Sequence, residues 1–181
     1  MDERELRESL EGCHAAGYGW ALRCCASNPE EAEDLLQTVY LKILDGRAQY
    51  NGKAAFKTWL FAVIHRTAAD ERRRHWLRRI GLARLEREYQ PSAPGDHAVR
   101  NLYRAQLQSA FRKALAKLPR RQQEALHLVF YQDLSVAEAA EVMGVTVGSA
   151  RTHYERGKER LRQLLGSLEE FHEPRENGQH G

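Results

Sequence analysis

The sequence predicts an all-α fold made of two small helical modules joined by a flexible linker. Apolar residues recur at three- and four-residue spacing through most of the chain, and strand-like alternation is almost absent. A stretch with two prolines and one glycine, residues 90–96, separates the two periodic regions. The 181 residues are enough for one ordinary domain or for two small ones.

The amino-terminal module is assigned to residues 1–80 and contains three predicted helices. The first runs from Leu6 to Ala26. The second starts at Asn28, a capping residue followed by a proline and two acidic residues that favour the positive end of a helix, and it ends near Gly46. The third begins near Phe56, after a polar loop, and continues into a run of arginines.

The second module is assigned to residues 101–166, between a linker at 81–100 and a polar tail at 167–181. Pro119 is expected to start a helix whose apolar residues are Ala125, Leu126, Val129 and Phe130. Ser135 and Glu138 then form the spacing of a capping box. Gly144 suits a left-handed turn, and Thr146 is placed to cap a last helix.

Two helices joined by such a short turn are typical of a helix-turn-helix, whose second helix enters the major groove by its amino end. Arginine there can pair with guanine, and later basic residues can contact phosphates. A solvated amphipathic hairpin is the alternative interpretation. The candidate DNA-binding residues of this helix are Ser149, Arg151, Thr152, His153, Arg156 and Lys158.

Charge is distributed unevenly along the chain. Residues 1–46 carry 4 Lys/Arg against 10 Asp/Glu, a net of −6, and residues 47–90 carry 11 against 4, a net of +7. This asymmetry indicates a partner surface at the front and nucleic-acid contact further on. The sequence has no run of 18 apolar residues and no apolar signal core, so we expect neither a membrane span nor export. A cytoplasmic location is expected instead.

Three segments of the second module resemble region 4 of the extracytoplasmic-function (ECF) sigma factors of the sigma-70 family. They are Leu-Pro-Arg-Arg-Gln-Gln-Glu at 118–124, the stretch 134–144, and Val-Gly-Ser-Ala-Arg-Thr at 147–152. The resemblance implies that the candidate residues of the last helix read the −35 promoter element. His153 and Glu155 stand where basic residues are common in the family.

The first module resembles region 2 of the same family. The similar segments are residues 32–37 and 40–44, then 56–60 and 68–74, in the family's order and spacing. The resemblance of the whole chain implies binding to core RNA polymerase at its β′ clamp helices and its β flap, and the acidic helix of the first module is the part implied to dock on the clamp helices. The residues that it assigns to core-polymerase binding are Glu33, Asp34, Gln37 and Leu41.

Region 2 also implies a site for the −10 promoter element, in the loop from Tyr50 and the helix after it. Aromatic rings and cations are what single-stranded DNA requires, and Phe56, Trp59 and Phe61 alternate here with a lysine. Phe56 and Leu60 are also expected in the core. The implied −10 residues are Tyr50, Asn51, Lys53, Lys57, Trp59, Arg66, Arg72 and Arg73.

The function that the resemblance implies is that of an alternative sigma factor. It would bind core RNA polymerase and promoter DNA, open the −10 element with region 2, read the −35 element with region 4, and be held inactive by an anti-sigma factor or another signal. It would have no catalysis of its own, no cofactor and no metal.

The distance between the two promoter elements constrains the linker. Elements about 25 base pairs apart lie roughly 85 Å apart, whereas seven extended residues span at most about 25 Å. We therefore expect the region from 77 to 100 to open out on the polymerase, with only a marginal helix around Leu82–Tyr89. The same freedom would allow the modules of the free chain to pack together in a form that cannot bind promoter DNA.

Several other functions compete with this one. A one-component repressor or activator would need a sensor or dimerisation domain, which the amino half does not suggest. A small nuclease or metal-dependent hydrolase would need ligand spacing, and the eight histidines show none. Charge alone would also fit a nonspecific RNA-binding protein. Cys24 and Cys25 could serve redox or metal sensing, but buried structural cysteines are the favoured interpretation, with Cys13 unpaired as well.

Overall fold

A computed structural model describes residues 2–81 and 111–169, with side chains placed except at 78–81 and 167–169. Both ranges are helical and contain no strand, which confirms the predicted all-α fold. Most of the predicted linker, the helix expected around Leu82–Tyr89 and the tail beyond residue 169 lie outside the described residues. The helices with both ends described are α1 (Glu3–Cys24), α2 (Pro29–Leu44), α3 (Phe56–Gly81), α4 (Arg120–Leu126), α5 (Val136–Met143) and α6 (Val147–Glu169), and residues 111–116 are helical as well.

Local capping chemistry sets the helix starts of the first module. Asn28 accepts hydrogen bonds from the backbone N–H groups of Glu30 and Glu31 at 3.1 and 3.3 Å, as predicted for the start of α2. Gly46, with φ of +73°, follows its end. Helix α1 begins earlier than expected because Asp2 forms a capping box with Glu5.

Helices α1, α2 and α3 pack around one another to form the first module. Trp20 lies fully buried at its centre and donates its indole N–H to the backbone oxygen of Phe61 at 3.1 Å. Burying side chains of this size contributes about 1.5–3 kcal/mol each. The other large, fully buried members of this core are Leu35, Val39, Leu60, Phe61 and Ile64.

The predicted helix-turn-helix is present in the second module. Ser135 and Glu138 form both hydrogen bonds of the capping box at the start of α5. Gly144 follows α5 with φ of +63°, where a residue with a Cβ would be strained. Thr146 accepts from the N–H of Ser149 at 3.2 Å and so caps α6.

Helices α4 and α6 approach each other closely at Gly157. A Cβ at this position would meet side-chain atoms of Leu126 at 3.1 and 3.2 Å and of Gln122 at 3.3 Å. Such distances are shorter than ordinary van der Waals contacts, so the absence of a side chain lets the two helices pack together. Glycine at this position therefore lets α6 lie against α4 without displacing Leu126.

A π-helical turn, His127–Tyr131, extends α4 and was not expected from the sequence. The wider turn keeps Leu128 in the core and leaves Phe130 and Tyr131 69% and 52% exposed. Placing Phe130 on the apolar face of a regular helix was therefore wrong. Wide turns of this kind are rare and occur often at functional sites.

The two modules pack against each other and share one buried core. Helix α3 lies against α5, and the ring of His127 stacks on Trp20 with 5.4 Å between ring centroids. This agrees with the expectation that the modules of the free chain can pack together. The second module's residues in the common core are Ala125, Leu128, Leu134, Ala139, Val142 and Met143.

Candidate nucleic-acid and partner interfaces

The first turns of α6 present a mostly exposed polar face. Ser149, Arg151, Thr152 and Arg156 are exposed. The two hydroxyls already form local hydrogen bonds, because Thr146 donates to Ser149 at 3.0 Å and Thr152 donates to the backbone oxygen of Gly148 at 2.9 Å. The guanidinium groups are thus the groups on this face best suited to reach outward.

The remaining two residues predicted on this helix are partly buried. His153 is half-buried. Lys158 pairs with Glu155 at 3.0 Å and lies over the ring of Tyr154, 4.9 Å from its centroid. The structure therefore brings all six predicted residues onto α6 but holds these two against the protein.

The loop before α3 contributes an aromatic cluster. The rings of Tyr50, Phe56 and Trp59 lie 5.3–5.4 Å apart between centroids. The Tyr50 hydroxyl donates to the backbone oxygen of Ala54 at 2.6 Å, and Asn51 accepts from the N–H of Lys53 at 3.1 Å. The cluster is half-buried, and Asn51 and Lys53 project from the loop beside it.

Two sequence expectations about the aromatic stretch are changed by burial. Phe61 is fully buried under Trp20, so its ring cannot stack on a base. Leu60 is also fully buried, as predicted, whereas Phe56 is only half-buried. Exposed aromatic surface for a nucleic acid in this stretch is therefore confined to the Tyr50 cluster.

The four basic residues of α3 that were predicted for the −10 element fall into two groups. Arg66 and Arg73 are exposed on α3. Lys57 donates to the backbone oxygen of Gln132 in the second module at 2.7 Å, and Arg72 donates to the backbone oxygen of Cys24 at 3.1 Å. Two of these four cations are thus already bonded within this arrangement.

An open acidic groove runs between α1 and α2. Glu33, Asp34 and Gln37, three of the predicted polymerase-binding residues, line it and are exposed. The ring nitrogen Nδ1 of His14 lies 2.9 Å from the hydroxyl of Tyr40 across the groove. Leu41, the fourth predicted residue, is 54% exposed on α2. The sequence analysis missed the histidine and tyrosine, whose contact depends on helix packing.

An apolar groove forms on the second module beside the π-helical turn. Lys158 and Arg162 also line it, and each pairs with a glutamate on α6. Its position next to an exposed aromatic pair gives it the character of a docking surface. Its apolar residues are Phe111, Leu115, Leu126, Phe130, Leu161 and Leu165.

A buried carboxylate lies where α3 meets α4. The side chain of Glu124 is 3% exposed and contacts Arg120 at 2.7 Å, Arg121 at 3.3 Å and the Nε2 of His65 at 3.4 Å. Burial alone would raise the pKa of Glu124, but its contacts with His65 and Arg120 lower it to about 2. The sequence places Glu124 in a motif of the second module, but it carries no signal that His65 of the first module lies beside it.

The cysteines have the character of structural residues. Burial raises the pKa of Cys24 to about 12 and that of Cys25 to about 11, and it also raises the pKa of Cys13. Thiols held protonated in this way are poor nucleophiles and poor metal ligands. In the described residues no three His, Cys, Asp or Glu side chains are grouped to hold a metal ion, and no helix there has the length and apolarity to cross a membrane.

Two family models match the chain, in the order of its two modules. The model described as Sigma-70 region 2 matches residues 13–78, and the model described as Sigma-70, region 4 matches residues 108–161. RNA polymerase sigma factor CarQ of Myxococcus xanthus is 31% identical over 162 residues, which is 90% of each chain. ECF RNA polymerase sigma factor SigM of Mycobacterium tuberculosis is 29% identical, over 81% of this chain and 70% of its own.

Solved structures show the same fold. The sigma factor RpoE, in complex with the anti-sigma factor NepR from Bartonella quintana, is similar with a TM-score of 0.71 and 23% identity, covering 90% of this chain and 98% of its own. CnrH, in complex with the cytosolic domain of CnrY, has a TM-score of 0.60 and 19% identity, over 92% and 90%.

These matches define a transcription protein built from sigma regions 2 and 4, and the chain belongs to the sigma-70 family. It is an alternative sigma factor of the ECF group, which directs promoter-specific transcription initiation by RNA polymerase.

Proposed function

We propose that α6 reads the −35 promoter element with the residues predicted from the sequence. The observation that carries this assignment is the exposure of Arg151 and Arg156 on the amino-terminal turns of a capped second helix. Arginine can bind O6 and N7 of guanine at once, which is worth about 1–3 kcal/mol of discrimination. The six residues are Ser149, Arg151, Thr152, His153, Arg156 and Lys158.

The −10 element is the proposed ligand of the loop at Tyr50 and of the exposed cations on α3. The half-buried aromatic cluster offers ring faces, and each stacked base contributes about 1–3 kcal/mol. Exposed arginines would bind the phosphates of the melted strand. The proposed residues are Tyr50, Asn51, Lys53, Lys57, Trp59, Arg66, Arg72 and Arg73.

Core RNA polymerase is the proposed partner of two surfaces. The acidic groove with Glu33, Asp34 and Gln37, together with the exposed Leu41, would dock on the β′ clamp helices. The apolar groove beside Phe130 would receive the β flap, because it offers a contiguous apolar surface.

An anti-sigma factor is proposed as a further partner. The similar protein RpoE is in complex with the anti-sigma factor NepR, and CnrH is in complex with the cytosolic domain of CnrY. We further propose that the protein acts in the cytoplasm and has no catalysis of its own. The proposed domain limits are 1–80 for region 2, 81–100 for the linker, 101–166 for region 4 and 167–181 for the tail.

The first test combines the purified chain with core RNA polymerase and a library of promoter fragments in runoff transcription. We expect specific initiation only when both are present, and the enriched fragments to share a −35 and a −10 element. Tight binding to duplex DNA without core, and no initiation with it, would instead indicate a repressor.

A matched pair of variants tests the acidic groove. Asp34→Asn removes a carboxylate from the groove, and Asp45→Asn removes one from the end of α2, where Asp45 pairs with Arg47. We expect Asp34→Asn to raise the concentration of chain needed for half-maximal transcription and Asp45→Asn to leave it unchanged. Equal behaviour of the two variants would remove the groove from the polymerase interface.

A further inference from the structure

The interface between the modules engages Lys57, a side chain that the proposed function requires for binding the −10 element. Lys57 and Thr58 lie at the start of α3, next to the Tyr50 loop. Lys57 donates to the backbone oxygen of Gln132, and the Thr58 hydroxyl donates to Glu138 at 3.3 Å. The stretch that precedes α5 and the first turn of α5 itself are therefore bonded to the part of region 2 proposed to hold the −10 element.

A carboxylate lies between positive charges of the two modules. Burial lowers the pKa of Arg23 and of Arg72 in the first module, and the charge of Arg120 in the second lowers both further. The carboxylate of Glu124 acts in the opposite direction on both arginines. Without it, like charges of the two modules would face each other across a poorly solvated contact.

The burial of Glu124 depends on the partners that surround its carboxylate where the two modules meet. A buried carboxylate is costly unless it is paired. In the packed form it has His65, 9% exposed, as a partner from the other module, in addition to its own Arg120 and Arg121. At 3.4 Å the Nε2 of His65 makes no hydrogen bond with the carboxylate, so the packing of the modules holds the two groups in contact, and they form an ion pair only when the imidazole is protonated.

We propose that Glu124 and His65, with the Lys57–Gln132 hydrogen bond, form a latch that holds the free chain closed, and that −10 DNA and the closed form compete for Lys57. This inference rests on the proposed role of Lys57 at the −10 element. Closure would keep the free chain from binding single-stranded promoter DNA until the modules separate. The latch is built into the chain and needs no second protein.

Two substitutions on opposite sides of the latch test it. Glu124→Gln keeps the shape and removes the charge, and His65→Leu removes the imidazole from α3. Glu159→Gln is the control, because it makes the same change of charge at an exposed site on α6, where Glu159 pairs with Arg162. Circular dichroism is used to check that each variant remains helical.

The readouts are the radius of gyration, from small-angle X-ray scattering, and the affinity for a single-stranded oligonucleotide carrying the −10 sequence found by transcription. A compact chain of this length has a radius of gyration of about 16 Å. We expect both latch variants to be clearly larger than the unmodified chain and to bind the oligonucleotide about tenfold more tightly, since apparent affinity follows the open fraction. The control should match the unmodified chain in both.

Other outcomes overturn the proposal. Latch variants that stay as compact as the unmodified chain would show that the latch does not hold the modules together. Variants that expand without gaining affinity would disprove the competition for Lys57. If neither variant folds, the unmodified chain still decides, because an expanded radius of gyration contradicts closure. Failure of the proposed function is distinguished separately, by runoff transcription with the unmodified chain and core polymerase.

Discussion

Arg151 is the side chain through which base recognition can be tested most directly. It is exposed on the second turn of α6, and Arg160 is exposed further along the same helix. We expect Arg151→Ala to weaken holoenzyme binding to its promoter by about 10- to 100-fold, which corresponds to the loss of one bidentate contact. Filter binding or fluorescence anisotropy with matched promoter fragments measures the loss.

Arg160→Ala is the control for that substitution. A phosphate contact should weaken binding to all sequences alike and reduce the salt dependence by about one counterion. If Arg151→Ala instead lowers affinity equally for the promoter and for unrelated DNA, Arg151 binds the backbone and the assignment of base recognition is incorrect.

His127 makes the stability of the packed form depend on pH. Burial, with a contribution from Arg23, lowers its pKa from 6.5 to about 4. Between these values the unfolded chain binds a proton that the folded chain does not, so stability is complete above pH 6.5 and falls as pH drops toward 4. The loss amounts to at most about 3 kcal/mol.

Urea unfolding at several pH values measures this dependence. His127→Gln removes the titrating ring, so the free energy of unfolding of that variant should fall less steeply between pH 6.5 and 4 than that of the unmodified chain. Parallel pH profiles for the two proteins would show that protonation of His127 does not destabilise the folded chain.

At the scale of helices, two glycines differ in the space around them. Gly157 lies where α4 and α6 are in close contact, whereas Gly12 in α1 has open space around it. Gly12 lies in the interior of α1, and a Cβ added there would meet nothing within 4 Å. Gly157→Ala should lower the melting temperature, because its Cβ would press on Leu126. Gly12→Ala should raise stability by up to about 1 kcal/mol, since alanine favours a helix over glycine.

Thermal unfolding followed by circular dichroism distinguishes the two alanine variants. A stabilising Gly157→Ala would mean that Leu126 moves aside at little cost and that helix propensity outweighs packing there. The DNA affinity of a destabilised Gly157→Ala chain should fall as well, because α6 would lose its support.

Helix ends could be predicted because their determinants are local. Asn28, Ser135 and Gly144 each act within a few residues along the chain, so the sequence suffices to place them. The π-helical turn could not be predicted in this way. It depends on directing His127 and Leu128 toward the first module while Phe130 and Tyr131 face outward, which is a requirement of packing.

At the scale of the whole molecule, one core shared by both modules predicts cooperative unfolding. The unmodified chain should unfold in a single thermal transition, because neither module keeps all its buried surface without the other. Glu124→Gln, by separating the modules, should divide this into two transitions. Scanning calorimetry provides the measurement, and two transitions in the unmodified chain would contradict a common core.

The sequence predicted both modules and the possibility of their packing, but not the contacts between them. The candidate residues of α6 and of the acidic groove follow from motifs within one helix each. The contact of His65 with Glu124 joins positions far apart in the chain, as does the bond from Lys57 to Gln132. None of these four residues carries a local sequence signal of its partner, so only the tertiary arrangement identifies the two pairs.

The stacking of Trp20 between the modules gives the chain an optical signal of its own. Its indole is fully buried and lies beside Phe61 and His65 on one side of the interface and His127 on the other. Separation of the modules would bring water to that ring and move its emission to longer wavelength. The other two tryptophans already have contact with water, since Trp76 is 61% exposed and Trp59 is half-buried, so a shift of the free chain's emission on separation would report Trp20 without any attached dye.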